Sequence, residues 1–370
     1  MNIISLVSYP FLPAKSGGQK GIALFYKYFA RRHSVTIVTT RNNQPSDAEG
    51  YELLNTISTS PSRYINPFVF FSLRNLIRKK KATHLILEHP YYGWLGILLK
   101  KICRVRLIVH SHNMEGKRWK SLGKWWWPIL WNYEKWTHRQ ADFNFFIQDE
   151  DRKYAIRAFG LDENKCITIN FGTEMYKPIS PEKRMASSKT LHLELQINED
   201  IPLMLFNGAF GYSPNRDALE NLLFKINPLL QAKGIPYMIL VMGLDIPDRI
   251  LHISLPGIRI LGFVENLDYY LTGSQVFLNP VNSGGGIKTK LVEALAYGLN
   301  TASTENGAIG VDPKLCNGKL VICPDNDWKL FTDAILQVMD IRGSTPQTFY
   351  DHFYWDHIAH RAARFIEEQK

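Results

Sequence analysis

Three consecutive glycines, Gly284, Gly285 and Gly286, stand immediately before Ile287, Lys288 and Lys290, and Glu293 follows on the same stretch. Val276, Phe277 and Leu278 end an apolar strand pattern before the glycines. Ile287, Leu291, Val292, Ala294 and Leu295 then recur at helical spacing, which predicts a helix over 288–297 and a short strand over 301–303. Strand, glycine loop, helix and strand make an α/β crossover. The first N–H groups of such a helix can bind an anion, and glycines let that anion approach the backbone. With two lysines beside it, the pattern points to a phosphate or diphosphate site. The competing reading is a flexible glycine turn before an ordinary helix.

A second group ends another strand pattern: His110, Ser111, His112, Asn113, Met114, Glu115 and Gly116. In open α/β sheets, ligands sit beyond the carboxyl ends of strands. His112 is the leading candidate for a sugar-hydroxyl or phosphate contact, with His110 and Glu115 beside it; polar capping of the next helix is the alternative. Zinc is disfavoured, because the two histidines and the glutamate lack an obvious further ligand. Gly17 and Gly18 lie between the first strand and the first helix and suggest close approach by backbone or ligand. They lack the GxGxxG fingerprint, so a nicotinamide site is not supported. Asn207 and Gly208 follow an apolar strand at 202–206. Pro214 and Asn215 open a helix on which Arg216 could reach a phosphate.

These groups need a scaffold that presents strand ends. Apolar strand patterns alternate with helical ones along most of the 370 residues, which predicts two domains built on mostly parallel sheets with helices on both faces. The tail, 347–368, reads as one amphipathic helix able to bridge the two domains. Apolar residues make up 45% and charged residues 21%, the balance of a globular protein. The four cysteines have no CxxC spacing and read as reduced thiols of a cytoplasmic protein. The amino-terminal apolar run lacks a preceding basic region and reads as the first strand, and no stretch is long enough to predict a transmembrane helix.

The formal net charge of +10 suits nucleic acid, an anionic membrane surface or phosphorylated ligands. Nucleic acid is disfavoured by the lack of any finger, RNA-sheet or basic-tail motif. Six of the nine tryptophans fall within 117–139, interleaved with lysines and arginines, and Arg78, Lys79, Lys80 and Lys81 form a further basic run. Such a segment can lie in a headgroup layer, which predicts peripheral contact with the inner face of a plasma membrane. The alternative is a helix that packs its tryptophans onto the sheet.

Taken in order, these features resemble the large retaining glycosyltransferase family 4. The resemblance covers nearly the whole chain: Gly17 and Gly18, the His112 to Glu115 run, Asn170-Phe171-Gly172, Asn207-Gly208 with Pro214-Asn215, Gly262-Phe263-Val264, and most strongly Gly284 through Gly298. It implies the GT-B fold, two Rossmann-like α/β/α domains facing a cleft, with a carboxyl-terminal helix crossing back to the first. The implied boundaries are 1–172 for the acceptor-side domain, 173–345 for the nucleotide-sugar domain and 346–370 for the returning helix. It also implies that Glu293 accepts hydrogen bonds from the nucleotide ribose, and that Lys288 with Gly284, Gly285, Gly286 and Ile287 holds the diphosphate. Phe263 and Val264 would border the base, Gly17 and Gly18 would lie near the diphosphate and acceptor, and His112 would touch the transferring sugar. The family requires no divalent metal and no cofactor beyond its nucleotide-sugar donor. One departure stands out: the family motif has two glutamates, and Gly285 occupies the place of the first. The arginine–lysine phosphate pair expected after the first strand of the second domain is also missing, with Asn207, Arg216 and Lys288 as substitutes.

The implied reaction is retaining transfer of a sugar from a nucleoside diphosphate to an acceptor hydroxyl, on a lipid-linked or cell-surface polysaccharide intermediate of a bacterium. No carboxylate pair supplies a double-displacement nucleophile, so same-face attack assisted by the leaving phosphate is favoured. The alternatives are a nucleotide-sugar epimerase, a non-catalytic carbohydrate- or lipid-binding relative, and a nicotinamide-dependent enzyme disfavoured by the missing fingerprint.

Overall fold

A computed structural model describes residues 1–368. The chain divides into two compact units, the first comprising Met1–Gly172 and the last helix from Trp355, the second Thr173–Tyr354.

The first unit runs β1 (Asn2–Val7), α1 (Gly17–Phe29), β2 (Ser34–Thr40), β3 (Glu52–Ile57), α2 (Phe68–Lys80), β4 (His84–Glu88), α3 (Gly93–Cys103) and β5 (Arg106–Ser111). It continues with α4 (Glu115–Ser121), α5 (Trp127–Gln140), β6 (Phe143–Phe146), α6 (Asp149–Ala155) and β7 (Cys166–Thr168). The seven strands form one parallel sheet in the order β3-β2-β1-β4-β5-β6-β7. Both faces are covered, which is why the strands read as nearly continuous apolar runs. Alternate residues such as Ile4, Leu6, Leu85, Leu87, Leu107 and Val109 form the core on one face. Strand order reverses at the β1/β4 pair, where loops leave in opposite directions and open a crevice at the carboxyl ends.

The second unit runs α7 (Pro181–Leu195), β8 (Leu203–Ala209), α8 (Ser213–Asn221), α9 (Asn227–Ala232), β9 (Met238–Leu244), α10 (Asp248–Leu251), β10 (Ile258–Gly262), α11 (Leu267–Gly273) and β11 (Val276–Asn279). After it come α12 (Thr289–Ala296), β12 (Asn300–Thr304), α13 (Glu305–Ala308), β13 (Leu320–Cys323), α14 (Trp328–Met339) and α15 (Gln347–Phe353). Its six strands are again all parallel, in the order β10-β9-β8-β11-β12-β13, so the reversal falls at β8/β11. Met204, Phe206, Val241 and Leu278 point to one core, while Leu205, Leu240, Met242 and Phe277 point to the other.

The expected single tail helix is two helices, and the expected 346–370 segment is divided between the units. Tyr354 is extended and interrupts the helix, and Phe353 O accepts from Thr173 N at 2.7 Å. Phe349, Tyr350 and Phe353 of α15 are fully buried, and Tyr350 Oη donates to Ala296 O at 2.7 Å, which ties α15 to the second unit. Helix α16 (Trp355–Glu368) packs instead on α1, with Asp356 bridging to Arg32 at 3.0 Å. Gly17 and Gly18 also differ from the expected loop. They form the first turn of α1, because Ser16 and Gln19 cap the helix reciprocally one residue earlier.

The carboxyl ends of β8 and β9 meet through glycines. Gly208 pairs with Gly243, whose φ is +146°, and a Cβ on Gly243 would lie 1.8 Å from Gly208 O. Neither backbone can yield without breaking the ladder next to the β8/β11 reversal. Gly243→Ala is therefore expected to cost roughly 2–3 kcal/mol, read as a lower denaturation midpoint of the second unit; an unchanged midpoint would show that the strands can part there freely.

Candidate active site

In the second unit the glycine loop joins β11 to α12, on one side of the strand-order reversal, and Asn207 and Gly208 end β8 on the other. Gly284 and Gly286 have φ of +86° and +77°, values that L side chains rarely adopt. A Cβ on Gly284 would also lie 2.8 Å from Tyr212 Oη and 3.3 Å from Pro214, so the loop lies against the start of α8. Gly285 is exposed and faces open space.

Lys288 sits at the cap of α12 and donates to Gly284 O at 3.1 Å and Gly286 O at 3.0 Å. Burial lowers its pKa to about 8. Lys290 donates to Asn207 O at 3.2 Å and Asn215 Oδ1 at 3.0 Å, with its ammonium 4.9 Å from the Phe206 ring. Burial, and then the nearby Lys288 charge, lower it to about 7. Both ammonium groups donate to neutral oxygens, and the Asp325 carboxylate near Lys288 offsets only part of its burial, so an arriving anion would meet cations whose charge is incompletely compensated. Asn207 Oδ1 is itself buried without a hydrogen-bond partner. Arg216 lies half-buried in the first turn of α8, and Glu293 is half-buried on α12. Phe263, 64% exposed, and Val264 follow the edge strand β10, two strands away from β8.

In the first unit the carboxyl ends of β4 and β5 hold a buried polar cluster around Glu88, a residue with no exposed surface in its side chain. Its Oε1 accepts from Tyr26 Oη at 2.5 Å and pairs with His110 Nδ1 at 3.0 Å; its Oε2 pairs with His112 Nε2 at 2.6 Å. Burial alone would raise the Glu88 pKa, but His110 and His112 outweigh it and hold the carboxyl well below the usual range. Burial pushes the His110 and His89 imidazoles down. His89 has φ of +69°, a strained value for a bulky residue. Its ring stacks on His112 at 4.6 Å, its Nε2 lies 3.0 Å from Tyr9 Oη, and its Nδ1 lies 3.3 Å from Glu115 Oε1. Glu134 caps the start of α4, accepting from Glu115 N at 2.8 Å and Gly116 N at 2.9 Å; burial raises it to about 8.

The fold thus gathers Asn207, Gly208, Gly284, Gly285, Gly286, Ile287, Lys288 and Arg216 about one reversal point, with Glu293 two turns into α12 at most and Phe263 and Val264 at the sheet edge. His112 stands at the end of β5 in the first unit, and Gly17 and Gly18 begin α1 there. Lys290 is more deeply engaged than its sequence position suggests. Glu88, His89, Tyr26 and Tyr9 escaped sequence reasoning. A signal was present, since Glu88 and His89 end the apolar run Leu85-Ile86-Leu87 just as His110 and His112 end theirs. Among the described residues, Glu88, His110 and His112 are also the group whose ligand atoms, all within 4.8 Å of one another, could hold a metal ion.

Two family models cover most of the chain. Residues 15–174 match Glycosyltransferase Family 4, and residues 201–340 match Glycosyl transferases group 1. Curated proteins yield no sequence match. Solved structures share the fold at low identity. A glycosyltransferase from Rickettsia africae superposes with a TM-score of 0.70 at 14% identity, over 99% of this chain and 98% of that one. HepE of Anabaena in complex with UDP gives 0.71 at 12% identity, over 100% of each chain. The lipopolysaccharide outer core galactosyltransferase WaaB, in its apo form, gives 0.67 at 12% identity, again over 100% of each. With a family model on each half and two parallel Rossmann-like sheets, the chain belongs to the glycosyltransferases of the GT-B fold, its first part to Glycosyltransferase Family 4 and its second to Glycosyl transferases group 1.

Proposed function

We propose that the protein transfers a sugar from a nucleoside diphosphate sugar to an acceptor hydroxyl, retaining anomeric configuration, on a lipid-linked or cell-surface polysaccharide intermediate. The observation that carries this reading is the glycine loop at the β8/β11 reversal, with Lys288 at the helix cap and Glu293 on the same helix. The sugar–phosphate C–O bond breaks with its electron pair going to the diphosphate, and the acceptor oxygen bonds to the anomeric carbon on the same face. The acceptor proton passes to the departing phosphate. Lys288 and the first N–H groups of α12 stabilise the charge that develops on the diphosphate, so no divalent metal is needed for that task. Glu293 takes the ribose hydroxyls, Phe263 and Val264 border the base, Asn207 and Arg216 contact the phosphates, and Gly17 and Gly18 leave the start of α1 accessible. His112 serves as a saccharide-hydroxyl contact. The UDP bound by HepE makes UDP the first nucleotide to test.

A membrane-surface location is part of the proposal. Helix α2 packs on α3, α3 on α5 and α5 on α4, so these adjacent helices, with the turn between α4 and α5, carry the basic and aromatic segments. None of the six tryptophans of 117–139 is fully buried, which disfavours a simple core role. Trp125 is 82% exposed, Ile129 67%, Phe68 74% and Phe71 58%. Lys79, Lys81, Lys120 and Lys124 lie nearby in sequence, so apolar insertion and attraction to anionic lipid would act together. Among the described residues no helix is long and apolar enough to cross a membrane.

Glu293→Ala is expected to weaken UDP binding at least about tenfold by calorimetry, since it strips a charged hydrogen-bond acceptor worth about 1.5–3 kcal/mol; wild-type affinity would remove Glu293 from the site. Lys288 supplies a pH test. In the free protein it loses its proton around pH 8 instead of near the ordinary lysine value, and a bound diphosphate restores the charge. Binding of UDP above that pH should therefore take up protons, seen as a dependence of the measured heat on buffer ionisation enthalpy. Lys288→Met should reduce the uptake, the remainder coming from Lys290, which burial lowers to about 7, and unchanged uptake in the variant would show that Lys288 does not meet the diphosphate. For the membrane surface, Trp125→Ser with Ile129→Ser, and separately Phe68→Ser with Phe71→Ser, should each cut sedimentation with phosphatidylglycerol-containing vesicles several-fold. Equal partitioning of wild type and both variants would exclude this face.

A further inference from the structure

The donors and acceptors around Glu88 can be ordered completely. An ionised carboxylate only accepts hydrogen bonds, and Glu88 has three donor groups, those of Tyr26, His110 and His112, within hydrogen-bond distance of its two oxygens. Tyr26 Oη must then donate to Oε1, so Ser5 Oγ donates to Tyr26 across their 2.6 Å contact. His110 carries its proton on Nδ1 and His112 on Nε2, each donating to Glu88 at 3.0 and 2.6 Å. His110 Nε2 is accordingly a buried nitrogen without a partner, between the rings of Phe25 and Phe145. For a neutral His112, the remaining nitrogen, Nδ1, is left with a free lone pair.

The His112 ring has little freedom to change this arrangement. It is flanked by His89 at 4.6 Å and His110 at 4.7 Å, and its side chain is 9% exposed. The strained backbone of His89 follows Glu88 directly, and its N–H is tied to His110 O at 2.9 Å, which holds the end of β4 against β5. Backbone strain of this kind costs about 1–3 kcal/mol and persists where the surroundings over-determine it.

We propose that Glu88 is a positioning residue that locks His112 in its Nε2–H tautomer, so that the Nδ1 lone pair accepts a hydrogen bond from a hydroxyl of the bound saccharide. The proposal rests on the reading of His112 as a saccharide contact. The class of ligand follows from the chemistry: a lone pair on a ring with small exposure selects a hydroxyl donor over an anion, and a phosphate oxygen would be repelled. A zinc ion on the same three side chains fits less well. Tetrahedral ligands at about 2.0–2.1 Å from the metal lie more than about 3 Å apart, whereas His112 Nε2 and Glu88 Oε2 are separated by 2.6 Å, a hydrogen-bond distance.

The test is the tautomer itself, observed by long-range ¹H–¹⁵N correlation on the full-length protein labelled with ¹⁵N-histidine, at about pH 8, above the ordinary imidazole range. The His112 signals are assigned by their loss in His112→Ala. The expected result is one dominant Nε2–H tautomer in the wild type, replaced by a mixture or by the Nδ1–H form in Glu88→Gln, whose amide can donate where the carboxylate could only accept. A purely structural role for Glu88 would not convert one tautomer into the other. A wild-type His112 in the Nδ1–H form overturns the proposal without any variant, so a poorly folding Glu88→Gln does not rescue it. An unchanged tautomer in a folded Glu88→Gln also overturns it, as does stoichiometric zinc in the purified protein by elemental analysis. Failure of the underlying reading looks different: UDP-sugar turnover unaffected by His112→Ala would remove the saccharide contact while the tautomer stayed as assigned.

Discussion

Charge buried at the carboxyl ends of parallel strands has to be compensated locally, and both units are arranged around that constraint. In the first, Glu88 is taken fully out of water and is met by three donors, from α1, β5 and the residue just beyond β5. In the second, Lys288 and Lys290 are half-buried and donate to carbonyl and amide oxygens, Lys290 beside an aromatic ring, while the Asp325 carboxylate offsets only part of the burial of Lys288. The two solutions differ in kind. A carboxylate with three donors is a satisfied network that gives rigidity. Two lysines that donate mainly to neutral dipoles, with one carboxylate acting on Lys288, retain an unfilled demand for negative charge, which is the condition a diphosphate site requires.

Topology explains why these charges can sit where they do. Each sheet reverses its strand order once, at β1/β4 and at β8/β11, and the connecting loops diverge there. Elsewhere along a parallel sheet, helices close over the strand ends. At a reversal, side chains from non-consecutive segments converge, as Tyr26, Glu88 and His112 do in one unit and Asn207 and Lys290 in the other. Glycine serves the second unit twice. Gly284 and Gly286 supply backbone conformations that other residues rarely adopt, and Gly208 with Gly243 lets two strand ends approach within a distance no Cβ would permit. Gly285 has a different character: nothing crowds it, so the departure from the family glutamate leaves open space beside the loop.

Much of this was legible from local pattern. The continuous apolar strands separated by helical periods identify two parallel α/β units, because burial on both faces leaves no alternation to confuse with surface strands. The glycine triplet, the lysines and Glu293 mark the β11–α12 segment, because a positive φ that other residues rarely adopt and a helix start are both encoded within a few positions. The tail shows the limit: residues 347–368 have a continuous helical period, yet Tyr354 breaks it, since α15 and α16 are claimed by cores in different units.

The sequence by itself thus determined the fold class, the two-unit organisation and the glycine-loop segment, all of which rest on interactions between residues near one another in the chain. Only the tertiary structure decided that Glu88 joins His112, that Lys290 reaches Asn207 and Asn215, and that the tail divides. Those outcomes depend on contacts across 24, 83 and 75 positions and on which core an apolar face meets. Hydrogen-bond directions are likewise non-local: the proton on His112 is placed by a carboxylate on another strand, and no spacing in the chain records it.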